Sequence, residues 1–168
     1  MGRMVLASLV VLASVSPRPL LAQVQLGAAP RAWSVSLGAG ASHLDGYTHA
    51  TGVLAVDRLV TGRLGFTTGL TYLLPAGFLD VAGVALDVGL LFTRHEPGRY
   101  TALDVGVSAV VGGNSDGGGG GGLGPHAGVV FLGQVAPGLR FRGQALVRYL
   151  PGLKLMVPGG TLGMALVW

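Results

Sequence analysis

The stretch AGVALDVGLLFT, residues 82–93, alternates between two kinds of side chain. Every second residue from Ala82 to Phe92 is apolar, and the residues between them are mostly small or polar, among them Asp87 and Gly89. Because successive side chains of a β-strand point to opposite faces, this period of two predicts a strand with one apolar face. The segment is longer than the common strand of about 5 or 6 residues, and its length is typical of a strand that crosses a bilayer at a tilt.

The same alternation recurs along the chain. It is clear in residues 33–42, 64–74, 103–111, 139–149 and 161–168. Residues 49–58 and 126–135 also read as strands, but apolar residues occur on both of their faces, so their register is open. Together with residues 82–93 these segments predict an all-β, eight-stranded, antiparallel up-and-down barrel.

The connections between the predicted strands also alternate. Residues 60–62, 95–99 and 136–138 are tight turns with Gly or Pro, whereas residues 43–48, 75–79, 112–125 and 151–158 are longer links. The run GGNSDGGGGGGLG, residues 112–124, lacks the Lys and Ser or Thr of a phosphate-binding loop and is predicted to be a flexible surface loop. Short turns at one end and longer loops at the other are typical of outer-membrane barrels, with the turns in the periplasm.

The distribution of charge indicates which face is outside. A soluble barrel such as a lipocalin has its apolar face inside, whereas a membrane barrel has it toward lipid. Here the apolar face is bulky, and the charged residues fall on the other face, which predicts a lumen charge network of Asp57, Asp87, Asp104, Arg140, Arg142 and Arg148. We expect four of these groups, the Asp at 57 and 104 and the Arg at 140 and 142, to lie near the turn end and to plug the lumen rather than to gate it.

Aromatic residues occur near the ends of the predicted strands. Those assigned to the lipid interface are Trp33, Phe66, Phe92, Phe141 and Trp168 at the turn end, and Tyr72 and Tyr149 at the loop end. They share the parity of the apolar face, as two interfacial girdles of a membrane barrel would require.

The N-terminus is typical of an export signal. Gly2 and Arg3 precede an apolar run, residues 4–15, that is too short to span a bilayer as a helix, and a small residue, Ala22, precedes Gln23. We therefore predict a signal peptide at residues 1–22 and the barrel at residues 23–168. The chain has no Cys, so neither a disulfide nor a lipid-modified Cys can form, and its scattered basic residues give no reason to expect nucleic acid as a partner.

The chain ends on TLGMALVW, in which Leu162, Met164, Leu166 and Trp168 fall on the apolar face. This ending resembles the C-terminal assembly signal of outer-membrane barrels, and the whole of residues 33–168 resembles the small eight-stranded OmpA/OmpX-type family. The resemblance implies location in the bacterial outer membrane, with the barrel-assembly machinery and membrane lipids, including lipopolysaccharide, as partners. Unlike OmpA, the protein is expected to lack a periplasmic domain after the barrel.

Candidate chemical sites are few. His43, His49 and His126 map to the loop end without the spacing of a metal site, so we predict surface histidines and no metal or cofactor. Ser42, His43 and Asp45 are a weak candidate for a rim triad, because adjacent strand residues point to opposite faces.

The sequence therefore predicts a non-enzymatic barrel with a structural or surface-interaction role. The alternatives that it leaves open are a narrow passive channel for very small solutes, an enzyme that modifies lipid A, and a soluble lipocalin-like binder.

Overall fold

The computed structural model describes residues 32–44, 46–74, 82–96, 99–113 and 118–168. These ranges contain eight strands and a single 3₁₀ turn at Pro151–Leu153. The strands are β1 (Trp33–Leu44), β2 (Tyr47–Leu59), β3 (Leu64–Leu73), β4 (Ala82–Glu96), β5 (Arg99–Gly113), β6 (Gly119–Ala136), β7 (Leu139–Leu150) and β8 (Leu155–Val167). All eight predicted segments are strands, and most of them are longer than the sequence indicated.

The strands close into an antiparallel barrel. Each strand pairs with its neighbour in the chain, and β8 pairs back with β1. Trp33 and Trp168 exchange two backbone hydrogen bonds, with N–O distances of 3.0 and 3.1 Å. Closure pairs the backbone groups that would otherwise be exposed at a sheet edge, which is the condition for a sheet to lie in a bilayer.

As predicted, the outer face of the sheet is apolar and most of its charged residues are on the inner face. Large apolar side chains cover the outside, and Leu37, Val88 and Leu162 on three different strands are 54 %, 53 % and 62 % exposed. The alternate residues are buried inside, including all three aspartates of the lumen. A water-soluble protein rarely exposes so continuous an apolar surface, and the lipocalin-like alternative is therefore wrong.

The connections differ from the prediction. Most of the glycine run belongs to strands, because β5 extends to Gly113 and β6 begins at Gly119, with pairing continued through Gly112 and Gly120. The predicted link 151–158 is likewise shorter, since β8 begins at Leu155. Backbone pairing needs no side chain, so the ladder continues through glycines that composition alone assigned to a flexible loop.

The turn between β6 and β7 shows how the tight turns form. Pro137 fixes its own φ, and Gly138 follows with a φ of 75°, a conformation that suits glycine. A shift in register between Gln134 and Ala136 precedes this turn.

The predicted signal peptide, residues 1–22, lies outside the described residues. In the described part of the chain, no helix is long and apolar enough to cross a membrane.

Candidate functional site: the barrel lumen

The turn end of the lumen is filled by apolar side chains. We call this cluster the apolar plug; its members, all at most 3 % exposed, are Leu91, Tyr100, Ala102, Val130, Leu132 and Ala165. They come from four strands, β4, β5, β6 and β8. These side chains pack against one another as in a protein core.

An ion pair between β2 and β7 lies next to the plug. Arg142 donates from Nε to Oδ2 of Asp57 at 3.1 Å and from Nη2 to Oδ1 at 3.3 Å. The same carboxylate accepts hydrogen bonds from the hydroxyls of Ser34 and Thr67, at 3.3 and 2.7 Å. Both charged groups are buried, and two-point contact with a guanidinium together with hydroxyl donors is the geometry that a buried carboxylate requires.

Gln144 connects this pair to a second carboxylate. Its Oε1 accepts from Nη1 of Arg142 at 2.9 Å, and its Nε2 donates to Oδ2 of Asp104 at 3.2 Å. Asp104 is 0 % exposed, and its other oxygen lies 3.3 Å from Nε2 of His126. The amide thus relays hydrogen bonding across the lumen from β7 to β5.

The second ion pair lies farther toward the loop end. Arg148 donates from Nε and Nη2 to the two oxygens of Asp87, at 2.8 and 2.6 Å, and from Nη2 to Thr71 at 3.1 Å. Ser108 donates its hydroxyl to Asp87 at 2.6 Å and lies 2.8 Å from Nδ1 of His126. His126 therefore joins the two halves of the cluster.

We call the connected set the ionic network. Its members are Asp57, Asp87, Asp104, Ser108, His126, Arg142, Gln144 and Arg148. Within it, the Ser108 oxygen lies between Asp87 and Nδ1 of His126, and Nε2 of the same imidazole lies beside Oδ1 of Asp104.

The structure places the six predicted lumen charges unequally. Five of them are in the ionic network, but Arg140 is only half-buried at the turn end, beside Tyr100 and Leu132, and among the described contacts no ion pair includes it. The network also extends well beyond the turn end, because the Asp87–Arg148 pair lies in the loop-side half. Sequence reasoning missed His126 as a member of the network. Its position opposite Gly106 on β5 and Arg148 on β7 is set by the register of β6, which the sequence leaves open.

Two lumen glycines leave room for the network. A methyl group at Gly89 would overlap with Oδ1 of Asp104 and come within 3.0 Å of Nε2 of His126. At Gly69 the nearest atom would be Oδ2 of Asp87 at 3.7 Å, which is ordinary contact. Gly89 is therefore a steric requirement of the Asp104–His126 contact, and Gly69 is not.

Two small voids lie beside the ionic network. A void of about 10 Å³ touches Thr71, Gln144 and Arg148, and one of about 20 Å³ touches Asp57 and Tyr100. Each is about the size that one ordered water requires. At the loop end the barrel opens into a cavity of about 440 Å³, bordered by leucines and the glycines of the β5–β6 hairpin.

The histidine prediction is wrong for two of the three residues. His43 is exposed, with Nδ1 3.3 Å from the Thr48 hydroxyl, but His49 and His126 are each 2 % exposed and face the lumen. Both fall on the inward parity of their strands, and this parity was the information needed to place them.

Two groups of serine, histidine and aspartate bear on the enzyme alternative. Ser42 is buried, the adjacent His43 is exposed, and Asp45 lies outside the described residues. Ser108, His126 and Asp104 make the contacts of a triad, but the Ser108 hydroxyl donates to Asp87 instead of to the imidazole and is 0 % exposed. In the described ranges, no three His, Cys, Asp or Glu side chains are arranged to hold a metal ion.

The predicted lipid-interface aromatics lie at both ends of the barrel. Trp33, Phe66, Phe92 and Trp168 are exposed at the turn end, where Phe141 is partly covered. Tyr72 and Tyr149 are exposed nearer the loop end. Leu162, Met164 and Leu166 of the proposed assembly signal also point outward, in line with Trp168.

Comparison with known proteins gives structural matches only. No protein-family model matches the chain, and no curated protein matches it in sequence. A major outer membrane protein from Thermus thermophilus aligns with a TM-score of 0.62 at 20 % identity, covering 82 % of this chain and 98 % of that one. OprG from Pseudomonas aeruginosa aligns with a TM-score of 0.60 at 10 % identity, covering 84 % and 97 %.

The attachment invasion locus protein Ail of Yersinia pestis aligns with a TM-score of 0.58 at 11 % identity, over 82 % of this chain and 97 % of that one. At these identities the matches establish the fold, which agrees with the closed eight-stranded topology and the apolar outer face. The chain has the fold of the small eight-stranded bacterial outer-membrane β-barrels.

Proposed function

We propose that the protein is a non-enzymatic barrel of the bacterial outer membrane with a structural or surface-interaction role and a lumen closed by its own side chains. The observation that supports closure most directly is the ionic network, in which the Asp57–Arg142 and Asp87–Arg148 pairs cross the lumen between strands that are not neighbours, β2 with β7 and β4 with β7. A solute would have to separate these buried pairs and then pass the apolar plug. Each step leaves charged or apolar groups without their partners.

Two further observations support a role without catalysis or transport. The two voids beside the network are each about the size of one water, so neither of them accommodates a hydrated ion. The serine, histidine and aspartate that meet in the lumen are all at most 2 % exposed, and a substrate cannot reach them there.

The proposed route of export and assembly depends on residues near the N-terminus and near the C-terminus of the chain. Residues 1–22 direct export, and the outward-facing side chains of Leu162, Met164, Leu166 and Trp168 are recognised by the barrel-assembly machinery. The surrounding partners are the lipids of the outer membrane, including lipopolysaccharide.

The test of closure is conductance in a planar lipid bilayer. We expect the folded wild-type protein to give no single-channel currents, and we expect the same of Arg142→Ala, because the apolar plug remains. A combined variant, Arg142→Ala with Tyr100→Ala and Leu132→Ala, removes bulk from both barriers and should conduct small ions if it folds. Ion currents from the wild type would overturn the closed-lumen proposal.

Location is tested separately by cell fractionation. The full chain should be in the outer-membrane fraction, and its gel mobility should change on heating, as expected for a barrel that stays folded in detergent. Recovery from the periplasm or the medium as a soluble protein would contradict the proposal. Mass spectrometry of lipid A from cells with and without the protein should show no difference.

A further inference from the structure

Exposed cations are concentrated at one end of the barrel. Four arginines whose side chains are exposed lie at the turn end, and we call them the arginine crescent: Arg58, Arg63, Arg94 and Arg99. At the loop end, Lys154 is the one exposed Lys or Arg among the described residues. The sequence also has Asp45, Asp80 and Asp116 in the connections at that end. At the turn end the four arginines share the rim with Glu96, which lies opposite Arg99 in the β4–β5 ladder, so cations outnumber acidic side chains at this rim.

The crescent follows one side of the turn-end rim. Arg58 lies in β2, Arg94 in β4 and Arg99 in β5, while Arg63 lies in the turn between β2 and β3. Arg63 accepts a backbone hydrogen bond from Thr93, the residue next to Arg94. The described part of the opposite side, β6 to β8, has no exposed Lys or Arg at this rim.

Aromatic side chains lie among these arginines. The guanidinium of Arg58 is 4.8 Å from the ring centroid of Trp33, a cation–π distance. Arg58 is opposite Phe66 in the β2–β3 ladder, and Phe92 lies two residues from Arg94. Alternating aromatic and cationic groups at one level of a membrane protein mark the boundary between acyl chains and headgroups.

We propose that the arginine crescent binds the phosphate groups of anionic phospholipids in the inner leaflet of the outer membrane. Short turns face the periplasm in barrels of this architecture, so the turn-end rim meets the inner leaflet. A guanidinium offers two parallel N–H donors to a phosphate, and each cation near an anionic surface adds attraction. Asp57, Asp87 and Asp104 are buried in the lumen, whereas Glu96 lies opposite Arg99 at the rim, so Arg58 and Arg63 are the members of the crescent that test the proposal. The inference depends on the proposed membrane placement but not on a closed lumen.

The native tryptophans provide a local probe. The chain has two, Trp33 and Trp168, which pair with each other at the turn-end rim. The protein is folded into phosphatidylcholine vesicles that contain increasing fractions of brominated phosphatidylglycerol or brominated phosphatidylcholine. Bromine quenches tryptophan fluorescence on contact, so the two titrations give a relative binding constant for the anionic lipid.

We expect brominated phosphatidylglycerol to quench more strongly than brominated phosphatidylcholine at the same fraction. The double variant Arg58→Gln with Arg63→Gln should lower the relative binding constant by up to about fivefold for each arginine at low salt. The matched control Lys154→Gln, at the loop end, should leave it unchanged. Raising the ionic strength should weaken the preference of the wild type because surface charges are screened.

Equal quenching by the two lipids, or a preference that survives the double substitution, would overturn the inference while leaving membrane insertion intact. Insertion is checked in the same samples by the change of gel mobility on heating. A wild-type chain that does not insert would overturn the membrane placement itself. Unchanged quenching when inorganic phosphate is added shows that the lipid, rather than free anion, is the ligand, whereas loss of the preference would contradict lipid binding.

Discussion

The inner face of the barrel has two different kinds of side-chain cluster. At the turn end, Leu91, Val130 and Leu132 pack as in the core of a soluble protein. A few residues farther along the same strands, Asp87 and His126 belong to a chain of hydrogen bonds that connects seven strands. The apolar plug depends on volume alone, whereas the ionic network depends on the identity and protonation of each group.

This difference indicates how each region should respond to change. Truncation of a side chain in the plug lowers stability because the contacts of the removed atoms are lost. Neighbouring side chains can move into the cavity and recover part of that loss. Truncation of one charged side chain in the network leaves its partner buried and unpaired. Small movements of the neighbouring residues recover little of that loss in stability. The barrel should therefore tolerate substitution in the plug better than in the network.

Arg142→Ala should have the largest effect. It leaves Asp57 with only the hydroxyls of Ser34 and Thr67, and breaking a buried pair in this way costs about 3–5 kcal/mol. The measurement is urea unfolding in lipid vesicles, followed by tryptophan fluorescence. The double variant Asp57→Ala with Arg142→Ala removes both charges and should regain part of the loss. A single variant as stable as the wild type would mean that the pair is not buried.

Leu132→Ala tests the plug. The side chain is 1 % exposed, and its truncation should lower the free energy of unfolding by about 2–5 kcal/mol. The control is Leu103→Ala, at a residue that is 50 % exposed on the lipid face and should cost less. If the two variants lose the same stability in urea titrations, the plug is not a packed core.

A pair of glycine substitutions tests the fit of the network. Gly89→Ala places a methyl group against Asp104 and His126 and should destabilise the barrel by about 1–3 kcal/mol, the usual cost of overpacking. Gly69→Ala meets only ordinary contact with Asp87 and should change stability little. The same unfolding assay compares the two, and equal effects would show that the Asp104–His126 contact is not tightly enclosed.

The loop end should show the smallest effect. A Cβ atom at Gly120 would meet nothing within 4 Å, so Gly120→Thr should raise stability by up to about 1 kcal/mol, since glycine is unfavourable inside a strand. At the next position, Gly121, a Cβ would lie 2.9 Å from the carbonyl oxygen of Val110, and Gly121→Thr should be destabilising. A gain at both positions would contradict the strand pairing of the glycine run.

The fold could be predicted because alternation reports directly on the two faces of a strand. In β4 the sequence predicts that apolar Val88 faces lipid and that charged Asp87 faces the lumen, and the structure confirms both orientations. The signal fails where the lumen is itself apolar. Val130 and Leu132 face inward while Phe131 faces lipid, so β6 has no contrast between its faces, and its register could not be assigned from the sequence.

The lumen site could be predicted only in part. Aspartate and arginine residues on the inner face can be recognised in the sequence by their charge. Which of them form ion pairs depends on the stagger between strands that are distant in the chain. The sequence therefore predicts Arg140 as a member of the network, whereas the structure leaves it outside. The sequence also predicts His126 on the surface, because the glycine run before it is typical of a loop, whereas a strand that begins at Gly119 brings His126 into the lumen.

The pairing of Trp33 with Trp168 has a kinetic consequence. Seven of the ladders join strands that are adjacent in the chain, so each can form as a local hairpin, but the β1–β8 ladder joins residues roughly 130 positions apart. Contacts at such separation form slowly, because the chain between them must be ordered first. We expect neighbouring hairpins to pair first and to form an open sheet. The β1–β8 ladder should then form last and close the barrel.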